Sequence, residues 1–262
     1  MKENENQAGL HLERSENEQL NLKPIKLDEE FPFSCHPGVS CFNVCCKKID
    51  VLLTPYDVVR IKNKLGIRSD EFLSRYADLQ NFKDTDLPLL KLRMDENEQC
   101  VFLGDKGCSI YESRPVVCRN YPTGIATKKP DEEAGENSFF IIEEDMCKGH
   151  FEKETWTVQG YKENQGSVEL DELNQDWLEI VARLKSLTLK DDQDQKMNIF
   201  IMVSYDVDAF RSFVFNSTFL NRFDVATDRV EKIKEDDEEM LKFGFEWLKF
   251  ILFKEGPIQP RG

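Results

Sequence analysis

Residues 35–46 read CHPGVSCFNVCC: four cysteines in twelve residues, the last two adjacent. Four more stand at Cys100, Cys108, Cys118 and Cys147. All eight cysteines of the 262-residue chain therefore fall within 113 residues, and the last 115 residues hold none. An even count suits either a disulfide framework or a set of metal ligands, and the compartment separates the two. The N-terminal MKENENQAGLHLERSENEQLN lacks the apolar core of a secretory signal, and no run approaches the ~18 apolar residues of a membrane span. The expectation is a cytoplasmic protein, off the membrane, whose thiols are kept reduced. Adjacent Cys45 and Cys46 would also need separate disulfide partners. The thiols therefore read as metal ligands.

Working outward from that stretch, charge removes one class of partner. The formal net charge is −15. Basic against acidic residues number 4 and 8 in residues 1–30, 17 and 21 in 31–155, and 14 and 21 in 156–262. No region has the basic footprint that a phosphate backbone requires, so nucleic acid is not an expected partner.

Three regions are expected. Residues 1–30, rich in Glu, Asn and Gln, read as a disordered acidic tail. Residues 31–155 form the cysteine segment. Within it KKIDVLL (47–53) suits a short strand, and TPYDVVRIKNKLG suits a helix with Thr54 as N-cap, Pro55 at its first position and Gly66 as terminator. Ser69 is placed to cap a second short helix, DEFLSRY. LPLLKLRM and QCVFL, separated by DENE, read as a β-hairpin with Cys100 early in its second strand, and NSFFIIEE (137–144) reads as a strand that delivers Cys147. Residues 156–262 form a helical region: Leu173, Trp177, Ile180, Val181 and Leu184 recur at helical spacing, as do the apolar residues of VDAFRSFVF and DDEEMLKFGFEWLKFILF. Asp236 and Glu239 stand in capping-box spacing. The Phe and Trp side chains of this region read as core rather than as a ligand pocket. The fold class expected is α+β: a small, irregular, metal-stapled cysteine-cluster domain with short strands and helices, followed by a helical C-terminal region.

Cysteine binds metal as thiolate, so a dense cluster needs nearby positive charge. Lys47 and Lys48 follow Cys46, Arg114 and Arg119 flank Cys118, and Lys148 follows Cys147. Eight thiolates can serve two four-coordinate zinc sites or an iron–sulfur cluster. Adjacent Cys45 and Cys46 can face two different metals or bracket one compact polynuclear site. The paired CxxC knuckles of a zinc ribbon are absent, as is the C-x3-C-x2-C triplet of radical SAM enzymes, since position 48 is lysine.

The ordered set CHPGVSCFNVCC, IDVLLTPYDVVRIKNKLG, EFLSRY, CVFLGDKGCSIYESRPVVCRNYP and the late Cys147 resembles the YkgJ family of cysteine-cluster proteins over about residues 31–151. The resemblance implies a zinc- or iron-chelating domain over 31–155, with Cys35, Cys41, Cys45, Cys46, Cys100, Cys108, Cys118 and Cys147 as metal ligands. The first gap is C-x5-C here and C-x2-C in many members, which singles out Cys35. His36 and His150 lie close enough in sequence to act as substitute ligands. Some proteins sharing this cluster look like flagellin lysine N-methylases with an iron–sulfur site. This chain, however, has no glycine-rich strand-to-helix turn for S-adenosylmethionine.

The leading expectation is a cytoplasmic metal-binding protein holding zinc, iron or a 4Fe-4S cluster, with the C-terminal helices as cover or as a surface for a protein partner. The alternatives are a cluster-dependent enzyme, either a protein lysine N-methylase or a redox protein, and a metal-trafficking or sensing protein. No catalytic residue is assigned. No nucleophile–base pair is legible, and the chain has three histidines.

Overall fold

A computed structural model of the protein describes residues 13–14, 21–81, 87–126, 138–186 and 193–261. The fold is α+β, with small sheets, short helices and a helical C-terminal region. It divides into two compact units that interleave along the chain: Met1–Leu52 with Leu92–Glu172, and Leu53–Lys91 with Leu173–Gly262. All eight cysteines belong to the first. The division does not follow the boundary expected near residue 155. Residues 53–91 join the C-terminal helices, and 156–172 join the cysteines.

The cysteine unit is built on a three-stranded antiparallel sheet whose central strand, Ser138–Glu143, pairs with Thr123–Ala126 on one side and Asn21–Ile25 on the other. The Asn21–Ile25 strand lies inside the segment expected to be a disordered tail. Ile25 stands opposite Phe139 and Leu22 opposite Ile142, and the two point to opposite faces of the strand, each packing against its own buried cluster. The rest of the expected tail lies mostly outside the described residues. A second antiparallel pair sets Glu30–Pro32 against Thr155–Thr157, with Phe31 opposite Trp156. Between the two lies a core of Phe31, Phe33, Ile141, Cys147, Val158 and Tyr161. Its rings meet edge to face: Phe33 is 5.8 Å from Tyr161 and 6.1 Å from Tyr121, and Trp156 is 5.9 Å from Tyr161, a geometry the aromatic quadrupole favours.

The hairpin expected from LPLLKLRM and QCVFL is reduced to a bridge between Met94 and Cys100. The ladder partners of the second arm lie elsewhere. Lys48 donates its amide to the Glu98 carbonyl (2.8 Å), Lys47 stands opposite Gln99, and the Cys100 amide donates to the Cys46 carbonyl (2.9 Å). Asp95 closes the intervening turn by accepting the amides of Asn97 and Gln99. The chain then turns back on itself, with Leu103–Gly104 paired to Gly107–Cys108.

The second unit keeps the helix punctuation of its sequence. Helix Pro55–Leu65 starts at a capping box between Thr54 and Asp57 and ends at Gly66 in the left-handed conformation, where glycine has no Cβ to clash. Asp236 caps helix Asp237–Phe253 by accepting the amides of Glu238 and Glu239. Ser69 is a correction. It is the first residue of helix Ser69–Tyr76 rather than its cap. Its amide donates to Asp208 (2.7 Å) and its hydroxyl to Asp206 (2.6 Å), so a carboxylate distant in sequence caps this helix. Most of the large aromatic residues of this region are core, as expected, with Phe213 exposed. Trp247 stacks on Phe210 at 5.6 Å, Trp177 donates to Ser204 Oγ at 3.1 Å, and Phe200, Phe210 and Phe245 are fully buried. Helix Gln193–Tyr205 has no counterpart among the sequence expectations. Its run NIFIMV carries no polar interruption to mark a period. Among the described residues no helix is long and apolar enough to cross a membrane.

Candidate metal centre

The first cysteine segment is too short in apolar residues to form regular structure and folds as successive tight turns. The Val39 amide donates to His36, Phe42 to Val39, and Val44 to Cys41. A single 3-10 turn, Val44–Cys46, follows, entered through Asn43 in the left-handed conformation. Asparagine tolerates that region better than most residues. Cys100 is the bridge partner of Met94, Cys108 ends the short strand Gly107–Cys108, and Cys118 lies in the short helix Val116–Asn120. Cys147 lies just past the central strand, where its amide donates to Glu144.

These turns enclose one cavity of about 570 Å³, and all eight cysteines line it. No disulfide joins any of them. The cavity thus gathers cysteines from three separated stretches of chain. The sulfurs line a wall rather than a point. Among the described residues, no group of three or more His, Cys, Asp or Glu side chains stands close enough together, as placed, to hold an ion. Cysteine has a single side-chain torsion between backbone and sulfur, so rotation about it is the movement that would draw wall thiols inward.

Packing thiols together in an apolar recess opposes their ionisation. The Cys35 residue is exposed overall, yet desolvation of its thiol, reinforced by Cys45, Cys147 and Cys41, pushes it up to about 11, with Arg114 acting the other way. Burial likewise raises Cys100, with a contribution from Cys108, and raises Cys108, where Arg114 again opposes. A cation bound among them would reverse that balance, since metal ligation requires the deprotonated thiol.

Among the cations that flank the cysteines in sequence, Arg114 acts on thiols from two separated stretches, Cys35 and Cys108. It is buried, donates to the Tyr111 carbonyl (2.7 Å) and to Gln165 Oε1 (2.6 Å), and lies 3.9 Å over the Tyr111 ring. Arg119 serves a different purpose: its guanidinium donates to the carbonyls of Arg114, Gln165 and Glu112, joining the Cys118 helix to the helix Val158–Gln165. Lys48 is exposed beside Glu98 (3.8 Å). Lys148 contributes its backbone instead of its ammonium, the amide donating to Cys41 Sγ at 3.0 Å.

The two histidines part company. His36 is on the cavity wall, its Nδ1 accepting the Gly38 amide at 3.1 Å. His150 packs on Phe33 with Nε2 3.1 Å from the Ile142 carbonyl, and burial lowers its pKa. The sequence did not point to the aromatic part of the wall. Trp156 donates to the Phe33 carbonyl (3.0 Å), Tyr161 to the Tyr121 carbonyl (2.7 Å) and Tyr121 to Glu144 (2.8 Å). Burial raises the pKa of both tyrosines, so they stay neutral beside the thiols. Tyr121 lies within the quoted CRNYP, which was the available signal. Tyr161 and Gln165 lie in a helix assigned by sequence to the other region.

Residues 34–148 match the family model described as "CxxCxxCC: Putative zinc- or iron-chelating domain", the cysteine-cluster family that the motif resembles. No curated protein and no solved structure matches the chain. The donor chemistry agrees with the family's description, because thiolate sulfur is the ligand that zinc and iron–sulfur centres share.

Proposed function

We propose that this chain is a cytoplasmic metal-binding protein in which Cys35, Cys41, Cys45, Cys46, Cys100, Cys108, Cys118 and Cys147 chelate zinc or iron, the iron as an iron–sulfur cluster. One observation carries the reading: eight thiols from three stretches of chain, none in a disulfide, line a single cavity. Isolated buried cysteines would be distributed through the core. Here only Cys147 is itself a core residue. The roles of the surrounding residues follow from the same geometry. Arg114 offsets thiolate charge from a buried position, and the Phe33, Tyr121, Trp156 and Tyr161 rings keep bulk water from one side of the cavity. A bound zinc would supply folding free energy without redox chemistry, whereas an iron–sulfur cluster would add one-electron transfer.

The test is anaerobic purification of the full chain, followed by metal and acid-labile sulfide analysis and an absorption spectrum. Near-equal iron and sulfide in a brown protein selects the cluster. A colourless protein carrying zinc selects zinc. A folded chain that retains neither, and takes up neither when supplied, overturns the reading.

A further inference from the structure

We infer that the eight cysteines form two separate four-thiolate sites, Cys35, Cys41, Cys45 and Cys147 in one and Cys46, Cys100, Cys108 and Cys118 in the other, with the peptide bond between Cys45 and Cys46 as the dividing line. This rests on the metal-binding reading above and adds to it the number of sites and the membership of each.

The first set is assembled by backbone contacts between the start of the motif and the Cys147 turn. The Ser34 amide donates to the Gly149 carbonyl at 3.1 Å, which sets Cys35 beside that turn. The Lys148 amide donates to Cys41 Sγ, which places the Cys41 sulfur next to Cys147 along the chain. Cys45 completes this set, because its neighbour Cys46 is bonded through its carbonyl to Cys100 in the other strip.

The second set lies along a different strip of backbone. Cys100 is bonded through its amide to the Cys46 carbonyl, and the neighbouring Lys47 and Gln99 stand opposite each other. The Leu103 amide donates to the Cys100 carbonyl at 2.8 Å, and Leu103 is paired with Cys108. Cys118 is the remaining wall thiol and completes this set, because the first already has four.

Cys45 and Cys46 can part in this way because they are consecutive residues of a 3-10 turn. Such a turn has about three residues per revolution, so successive side chains diverge by about 120°. A pair bound to one ion would need both sulfurs on one side. Arg114 lines the cavity that both sets share.

The experiment uses Zn²⁺ alone as the probe and the full chain. Zinc-loaded protein is depleted stepwise with a chelator and alkylated, and each metal-bearing species is mapped by intact-mass and fragment analysis. The expected result is two zinc ions per chain, with an intermediate that retains one ion and carries four alkyl groups, all four from one set. Labels divided between the sets overturn the partition, as does passage from fully loaded to empty with no one-zinc intermediate. As a second measurement, the paired variant Cys41→Ser/Cys147→Ser and the paired variant Cys100→Ser/Cys108→Ser should each keep one zinc ion. Loss of both ions from either variant, while its helical circular dichroism persists, also overturns the partition. A wild-type chain that binds no zinc and no iron would instead remove the underlying metal-binding reading.

Discussion

The backbone amide of Lys148 donates to the Cys41 sulfur across 3.0 Å, joining two residues 107 positions apart. The contact therefore ties closure of the cysteine unit to the position of the Cys41 sulfur.

The turn that presents this amide leaves no room for a side chain at Gly149. A Cβ there would lie 2.7 Å from the Ser34 carbonyl and 2.8 Å from the Phe33 ring. The first of these is backbone and cannot rotate away. Gly149→Ala is expected to lower stability by about 1–3 kcal/mol, as overpacking does, and to reduce the metal content of the purified protein. Thermal unfolding and metal analysis check both; a variant as stable and as loaded as wild type would contradict the close contact.

Arg114 supplies a pH test. Its charge opposes the burial that raises Cys35 and Cys108. Removing it in Arg114→Gln should raise both thiols further, so protons compete with metal more effectively at any given pH. The pH at half-loss of metal, measured at fixed chelator concentration, should then move upward. Arg114→Lys should fall between, keeping the charge while losing the two-ended hydrogen bonding to Tyr111 and Gln165. An unchanged midpoint in Arg114→Gln would leave the arginine with a packing role alone.

The adjacent pair gives the sharpest single-residue comparison. Serine offers zinc or iron a much poorer ligand than a thiolate. Cys45→Ser and Cys46→Ser should each lower bound metal, while the helices of the second unit remain formed by circular dichroism. A residue that merely fills space would instead keep full occupancy and lose at most about 1–3 kcal/mol from burying the hydroxyl.

In the second unit, Lys62 is buried with Nζ 2.8 Å from Asp237 and 3.5 Å from Asp208, and Arg211 also holds Asp237 at 2.5 Å. Burial alone would raise both carboxyls. Ser69 and Lys62 outweigh it at Asp208, and Lys62 and Arg211 outweigh it at Asp237, so both end below their ordinary values. Their contribution to stability is full above the unfolded carboxyl value, near about pH 4. It is lost as pH falls below that through the lower folded values. Lys62→Ala should cost about 3–5 kcal/mol at neutral pH, as removal of one partner from a buried ion pair does. The deficit should shrink towards pH 2–3 (about two units below the region of full effect). Urea midpoints at the two pH values check the prediction.

Local signals were legible where one stretch of sequence settles its own structure. The caps at Thr54, Gly66 and Asp236 and the apolar spacing about Trp177 all act within a few residues, and each is found as expected. Signals that depend on distant partners were not. Asn21–Ile25 is a strand because Ser138–Glu143 offers it an edge, and Ser69 yields its capping role to Asp208, 139 positions away. Within the site, the cysteines were readable because thiols are chemically distinctive. Tyr161 and Gln165 were not, since nothing in VQGYKENQ marks that one face of the helix meets the cavity.

The split of the cysteine unit by residues 53–91 also sets an order of events at the ribosome. The four thiols of CHPGVSCFNVCC emerge first, and Cys147 follows Cys46 by 101 residues (147 − 46). At about 5–20 residues per second, that interval is roughly 5–20 s. The proposed second set is complete once Cys118 follows, 72 residues after Cys46 (118 − 46), whereas the first waits for Cys147. In the proposed reading, loading of the first set waits for Cys147, and until then the closely spaced thiols of Cys35, Cys41 and Cys45 stand open to oxidants.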